Sequence, residues 1–284
     1  LLESASFAMQ AALQSSLFFG KDVSEFSMEK VTVMIGLGQL GRVFAGGLLK
    51  SGHVVVPVNR GDDMEAAASR WPEPDLVMIS VAEADLHPVL SALPEAWRDN
   101  VCLLQNELLP RDWEAHGIEN PTVISVWFEK KPGKDAHALL SSPVYGPHAD
   151  SLIAALSAID LPAHALSDAD ALLWELVRKN LYILTTNIAG LEAAGDVGAL
   201  RDQHAMLMTA VANDVLDVQD WLAGRPLPRA GLMAGLLDAI AADLRHGCAG
   251  RSAPSRLKRA LHHADTAGLA TPELHRIAAA HGIV

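Results

Sequence analysis

The stretch from Val31 to Arg60, VTVMIGLGQLGRVFAGGLLKSGHVVVPVNR, constrains the fold more than any other part of the sequence. It opens on an apolar run, Val31 to Ile35, which suits a strand buried on both faces. Gly36-Leu37-Gly38-Gln39-Leu40-Gly41 follows, a G-x-G-x-x-G loop. A helical pattern with Val43, Phe44, Leu48 and Leu49 on its apolar side runs to Gly52, and Val54 to Val58 forms a second strand. Strand, glycine loop, helix and strand within about 30 residues make the βαβ context in which the glycines have a physical role. Gly36 permits the tight turn off the strand, Gly38 lets backbone approach a pyrophosphate, and Gly41 lets helix and strand pack closely. The helix N-terminus then offers free N–H groups and the positive end of its dipole to phosphate. The unit predicts dinucleotide binding through Gly36, Leu37, Gly38, Gln39, Leu40 and Gly41.

The end of the second strand selects the nucleotide. An NAD site usually places a carboxylate there to accept hydrogen bonds from the ribose hydroxyls. Here the strand ends Val58-Asn59-Arg60, and no carboxylate appears before Asp62. The planar fork of Arg60 can pair with a 2′-phosphate, and Asn59 can bond it without repulsion. NADP(H) is therefore the expected cofactor. An Arg lying over the adenine or in solvent is the alternative, and Asp62 and Asp63 oppose a phosphate.

The length of 284 residues suggests about two domains, and with half the residues hydrophobic each can hold a core. A net charge of −12 without a basic run argues against nucleic acid and anionic membrane surfaces as partners. Cys102 and Cys248 stand far apart and read as small apolar residues of a reducing, cytoplasmic compartment. No apolar run reaches the length of a membrane span. Residues 1–27 have no basic residue before Lys21 and do not read as a secretory signal. They are expected to be an N-terminal extension to a fold starting at Met28.

Further strands are expected at Asp75–Val81 and Val101–Asn106. The turn after Val81 should lie at the C-terminal edge of the sheet, where ligands bind in such folds. Asn106 ends its strand and either faces the cofactor cleft or bonds its own turn. Thr122–Phe128 and His137–Val144 read as two more strands, and Asp150–Ala158 as a helix. From Asp168 onward helical patterns dominate: about Ala169–Glu192, Ala199–Leu222, Leu232–Arg245, Ser255–Ala267 and Pro272–Ala280. The expected architecture is α/β: a Rossmann-type dinucleotide-binding domain over 28–165, then an all-helical domain for substrate and dimerisation over 166–284.

A nicotinamide enzyme needs a proton donor at the carbonyl oxygen, supplied from across the cleft. Lys179 lies on the first long helix, in a largely apolar setting that can lower its pKa into the range for acid catalysis. Thr186 and Asn187 follow two turns later, within about 80° of Lys179 around the axis. They could hold a substrate hydroxyl or carboxylate. A surface Lys with a satisfied Asn is the structural alternative.

Several of these residues together resemble the ketopantoate reductase family. They are MEKVTVMIGLGQLG from Met28, Gly146-Pro147, Leu173-Trp174-Glu175, Lys179, Asn187 and Leu191, with Asp243-Leu244-Arg245-His246-Gly247 and Gly268-Leu269-Ala270-Thr271-Pro272 near the end. The resemblance implies an NADPH-dependent 2-keto acid reductase with Lys179 as general acid, Asn187 beside it, and Asn residues binding substrate. The family has Asn four residues after the Lys, and this chain has Ile183. Anchored on Trp174 instead, Asn180 takes the Asn position and Leu176 the Lys position; the Lys-anchored register keeps a proton donor. The family's substrate-binding Glu and a preceding Ser are replaced by Arg251-Ser252-Ala253-Pro254 and Ala239. These departures point to a small 2-keto, 3-keto or aldehyde acid other than ketopantoate, with Asn180, Thr186 and Ser252 as candidate contacts. They also keep open a non-catalytic NADP(H)-binding sensor or scaffold. Arg251 is either a carboxylate contact or a solvated loop charge.

His262 and His263 are adjacent and point to different faces, so no metal site is expected. Leu232, Met233, Leu236, Leu237 and Ile240 give one late helix an apolar face, suited either to a homodimer or to the chain's own core.

Overall fold

The computed structural model describes residues 29–283; the expected extension over 1–27 lies outside the described residues. The opening βαβ unit is β1 (Lys30–Ile35), α1 (Gln39–Lys50) and β2 (His53–Val58), with β1 and β2 parallel. Then come α2 (Met64–Arg70), β3 (Leu76–Ile79), a 3-10 turn (Glu83–Asp85), α3 (Leu86–Ser91), a second 3-10 turn (Glu95–Asn100) and β4 (Val101–Leu103). They are followed by α4 (Pro110–Glu114), β5 (Thr122–Ile124), β6 (Phe128–Glu129), β7 (His137–Ala138), β8 (Ser142–Tyr145), α5 (Ala149–Ser157) and β9 (Ala163–Ala165). Among the described residues the main sheet has seven strands in the order β2-β1-β3-β4-β5-β8-β9. Its first five are parallel, and β8 runs antiparallel to β5.

Alternation along the strands divides the core. Val33, Ile35, Val77 and Ile79 face one side of the sheet, with Leu86, Leu90, Trp97 and Trp113. Met34, Met78 and Cys102 face the other side, against Phe44 and Leu48 of α1 and Leu152 of α5. Both faces are covered, as a parallel sheet requires.

Two expected strands are broken. Thr122–Phe128 leaves the sheet after Ile124, and His137–Val144 is interrupted before Ser142. Past the break the Trp127 side chain is buried, and its backbone N–H donates to a side chain, Ser142 Oγ at 2.9 Å, rather than to a strand carbonyl. β6 and β7 pair as a separate two-stranded ribbon.

Helices follow: α6 (Ala169–Ala189), α7 (Val197–Gln203), α8 (Ala205–Ala223), α9 (Arg229–Ala242), α10 (Ala253–Ala267) and α11 (Pro272–His281). Asp168 caps α6 by accepting from the Ala171 N–H at 2.8 Å. The helix expected over Ala199–Leu222 is two, because Asp196 caps α7 and His204 leaves helical geometry. The chain therefore has a Rossmann-type α/β part followed by an all-helical part. Leu172, Leu176, Val177 and Leu181 of α6 belong to the core on the α3 and α4 side of the sheet, so α6 is held close against it.

Candidate active site

The glycine loop has the geometry its pattern demands. Gly36 sits at φ +90°, and a Cβ there would lie 3.0 Å from Ser80 O and 3.1 Å from Val81 Cγ1. A Cβ on Gly41 would lie 2.4 Å from both Gly36 O and Ser80 Oγ, so this glycine permits the helix–strand contact. Gly38 differs: it has an ordinary φ of −68°, and an added Cβ would meet nothing within 4 Å. That Cβ would project into open space at the start of α1. The first turn of α1 carries no acidic residue and no side-chain cap. Its ladder begins with Arg42 N–H to Gly38 O at 3.1 Å, which leaves earlier N–H groups for an anion.

A groove of about 520 Å³ opens beside this turn, lined by Gly36, Leu37, Gly38, Asn59, Arg60 and Val81, among others. These residues fit a dinucleotide. Gln39 is exposed, Leu40 packs against the core under α1, and Gly41 is buried, so these three offer backbone rather than groove-lining side chains. At the β2 end of the groove, Arg60 donates to Asp85 Oδ2 at 2.7 Å from a side chain that is 86% exposed. The Asn59 N–H donates to Asp62 Oδ2, also at 2.7 Å. This end of the groove thus holds one guanidinium and two carboxylates.

Lys179 is part-buried on α6, with Nζ 4.1 Å from the centroid of the Trp127 ring. Burial, then the charges of Arg256 and Arg178, push its pKa down to about 7. Arg178 also lies over Trp127, at 4.9 Å, and pairs with Glu175 at 3.2 Å. Tyr182 packs 5.5 Å from Trp127, and His246 packs 6.4 Å from Tyr182.

A run of polar contacts joins this lysine's surroundings to the C-terminal edge of the sheet. Asn187 Nδ2 donates to Cys248 O at 3.2 Å, and Asn187 Oδ1 accepts from Arg256 Nη1 at 2.7 Å. Arg256 Nε donates to Glu107 Oε1 at 3.1 Å, and its Nη2 lies 3.5 Å from Glu83. Glu83 accepts from Asn106 Nδ2 at 3.1 Å, and Glu107 Oε2 accepts from Arg259 Nε at 3.0 Å. Asn106 therefore bonds across to the turn after β3 rather than within its own turn. Glu107, next to it, has φ +63°, a left-handed conformation that L side chains adopt only under constraint from their surroundings.

Two expected contacts go elsewhere, Asn180 and Thr186. Asn180 is buried, donating to Gln219 Oε1 at 3.1 Å, so it ties α6 to α8 and does not face substrate. One residue past Lys179 is about 100° around the helix, which turns it into the core. Thr186 is buried and donates to Tyr182 O on its own helix at 2.7 Å. Leu176 is buried too, so the Trp-anchored register would leave no proton donor at that position. Ser252 is exposed just before α10, one turn from Arg256, and Arg251 is exposed beside it. The apolar face of α9 packs into the chain's own core: Leu232, Leu236 and Ile240 are buried there, and Leu237 alone of the five is exposed.

Sequence reasoning missed Trp127, Glu83, Glu107 and Arg256. Glu107 follows Asn106 directly and could have been read with it. Arg256 sits in Ser255-Arg256-Leu257-Lys258-Arg259, where nothing in the spacing separates it from its charged neighbours. Among the described residues, no group of three His, Cys, Asp or Glu side chains is placed to hold a metal, and no helix is long and apolar enough to cross a membrane.

No family model and no curated protein sequence matches the chain. Solved structures do match in fold. A PanE/ApbA family ketopantoate reductase from Ralstonia eutropha JMP134 is 17% identical over 88% of this chain and 96% of its own, with a TM-score of 0.63. D-mandelate dehydrogenase in complex with NADH is 14% identical over 87% and 96%, with a TM-score of 0.62. A dimeric ketopantoate reductase from Staphylococcus aureus is 14% identical over 87% and 96%, with a TM-score of 0.60. These structural neighbours are thus ketopantoate reductases and D-mandelate dehydrogenase, and the chain shares their fold over 87–88% of its length.

Proposed function

We propose that this chain is an NADPH-dependent reductase of a small 2-keto acid, with Lys179 as the proton donor. The observation that carries the reading is the lysine itself. Its pKa is pushed down to about 7, and the strongest charge acting on it is that of Arg256, which reaches Glu83 and Glu107 at the C-terminal edge of the sheet. A general acid works best with a pKa near the working pH, and few lysines meet that condition. In this reading residues 28–165 hold the dinucleotide and 166–284 the substrate.

When bound, the nicotinamide supplies the hydride. The residues do the rest. The free N–H groups of α1 and the open approach at Gly38 receive the pyrophosphate. Arg60 turns its fork to the 2′-phosphate, giving up or sharing Asp85, and this favours NADP(H) over NAD(H). Lys179, charged below about pH 7, donates to the carbonyl oxygen as that oxygen gains charge, and recovers a proton from solvent. The Trp127 face supports the ammonium before transfer. Asn187 positions Arg256, and Ser252 lies within one turn of it. Ile183 in place of a polar residue argues for an acid other than ketopantoate. A cytoplasmic setting suits two free, buried cysteines, and a homodimer matches the S. aureus structure of this fold.

One observation favours a second reading, a nucleotide-binding sensor or scaffold without turnover. Asn187, Arg256, Glu83 and Glu107 are paired with one another, so the cleft's polar groups already have partners. A panel of 2-keto, 3-keto and aldehyde acids, followed by NADPH absorbance beside calorimetric nucleotide binding, separates the two. Turnover of at least one acid is expected; tight NADPH binding with no turnover of any acid would favour the sensor.

A further inference from the structure

Arg256 is unusual in how its guanidinium is used. Its side chain is only 12% exposed and anchored at two points, Nε on Glu107 and Nη1 on Asn187. Asn187 is itself fixed by Cys248 O. The Nη2 end, by contrast, meets Glu83 at 3.5 Å, well beyond the roughly 2.8 Å of a charge-assisted hydrogen bond. An arginine oriented this firmly, with one end loosely matched, is preorganised for a carboxylate it does not yet hold.

We propose that Arg256 is the receptor for the substrate's carboxylate, and that Glu83 is an internal stand-in which the substrate displaces. Three features support the exchange. Glu83 has a second partner in Asn106 at 3.1 Å, so it is not stranded when it leaves the guanidinium. Glu107 is shared with Arg259, which donates to both of its oxygens, so its charge is not spent on Arg256 alone. Arg256 is also the strongest charge acting on Lys179, so the two cations repel one another. A 2-keto acid carries its carboxylate and its carbonyl oxygen on adjacent carbons, so it needs an anion receptor and a proton donor side by side. A carboxylate docked on Arg256 would also offset the repulsion felt by Lys179 and favour its charged, proton-donating form. The inference deepens the reductase reading and rests on it for the role of Lys179, but the binding claim stands by itself.

The test is calorimetric titration of 2-oxoisovalerate and its methyl ester into the full chain saturated with NADP+, where no reduction can occur. The wild type should bind the acid at least about tenfold more tightly than the ester. Arg256→Gln should remove that preference. Glu83→Gln, which leaves the Arg256 contacts to Glu107 and Asn187 intact, should increase it by freeing Nη2, and so keeps the test decisive if Arg256→Gln does not fold. Equal binding of acid and ester by the wild type, no acid binding at all, an undiminished preference in folded Arg256→Gln, or no gain in Glu83→Gln would each overturn the assignment. Acid binding through Arg256 with no NADPH oxidation would defeat the reductase reading and leave this one standing.

Discussion

The ammonium of Lys179 stands 4.1 Å from the centroid of the Trp127 ring. A cation over an aromatic face is favoured by about 0.5–2 kcal/mol, increasing as water is excluded. Burial and two neighbouring guanidiniums act the other way, and the balance leaves the lysine near pKa 7. Three parts of the chain set that balance: the loop after β5 supplies the ring, α6 the lysine, and α10 the opposing charge of Arg256. The lysine's charge state is therefore a property of the assembled fold.

Stability should report this directly. The folded pKa of Lys179 lies below its ordinary value of 10.5, so between about pH 7 and 10.5 the unfolded chain holds a proton that the folded chain lacks. The cost of burying the charge is full below pH 7 and vanishes as pH rises through that window. Lys179→Met should therefore stabilise the protein at pH 6, by an amount of the order of 1–3 kcal/mol, and much less at pH 10. Urea denaturation of both proteins at the two pH values measures the difference. An equal difference at both would show that the lysine is not depressed.

Two glycines of one loop should fail in different ways. Gly41→Ala places a Cβ 2.4 Å from the backbone oxygen of Gly36, so the βαβ unit must shift, and a clear fall in Tm is expected. Gly38→Ala meets nothing within 4 Å and should leave Tm nearly unchanged. It should nonetheless weaken nucleotide binding at least about tenfold, because its methyl group takes the space into which pyrophosphate must come. Nucleotide affinity preserved in Gly38→Ala would place the phosphates elsewhere.

Arg60 and Asp85 should oppose each other in cofactor choice. Arg60→Ala should weaken NADPH by about tenfold or more and NADH little, as expected for loss of a charge-assisted bond. Asp85→Asn frees the guanidinium from its 2.7 Å contact and should tighten NADPH selectively. Paired affinity measurements with the two nucleotides decide it. Equal wild-type affinities would mean that Arg60 stays with Asp85 and that the carboxylates at this end serve an unphosphorylated ribose.

The βαβ unit could be read from sequence because its physics is local: buried strand, glycine turn and helix start lie within one short stretch. The third and fourth strands and the helices after Asp168 were legible for the same reason. What was not legible depends on distance in sequence. At the break in Thr122–Phe128 the Trp127 N–H bonds the Ser142 side chain, a contact between segments. Asn180 has the sequence position of a cleft residue, but Gln219 of α8, distant in sequence, accepts its hydrogen bond in the core. The apolar stripe of α9 could not be assigned to a partner or to the core without seeing that α6 and α8 already share one core with it. Lys179 could be suspected from its apolar helix, but its neighbours Trp127 and Arg256 come from segments on either side and carried no pattern of their own.

The most direct test of the account is the pH dependence of kcat/KM for NADPH-driven reduction of a keto acid, which reports groups in the free enzyme. If Lys179 is the acid, the wild-type value should be level below pH 6 and fall about tenfold per unit above an apparent pKa near 7. Lys179→Ala should lower turnover about 10²–10⁴-fold and abolish that falling limb, without weakening NADPH. Lys179→Arg should not restore it, because guanidinium holds its proton too firmly. A falling limb near pH 7 that persists unchanged in Lys179→Ala would contradict the account and assign the proton to another group.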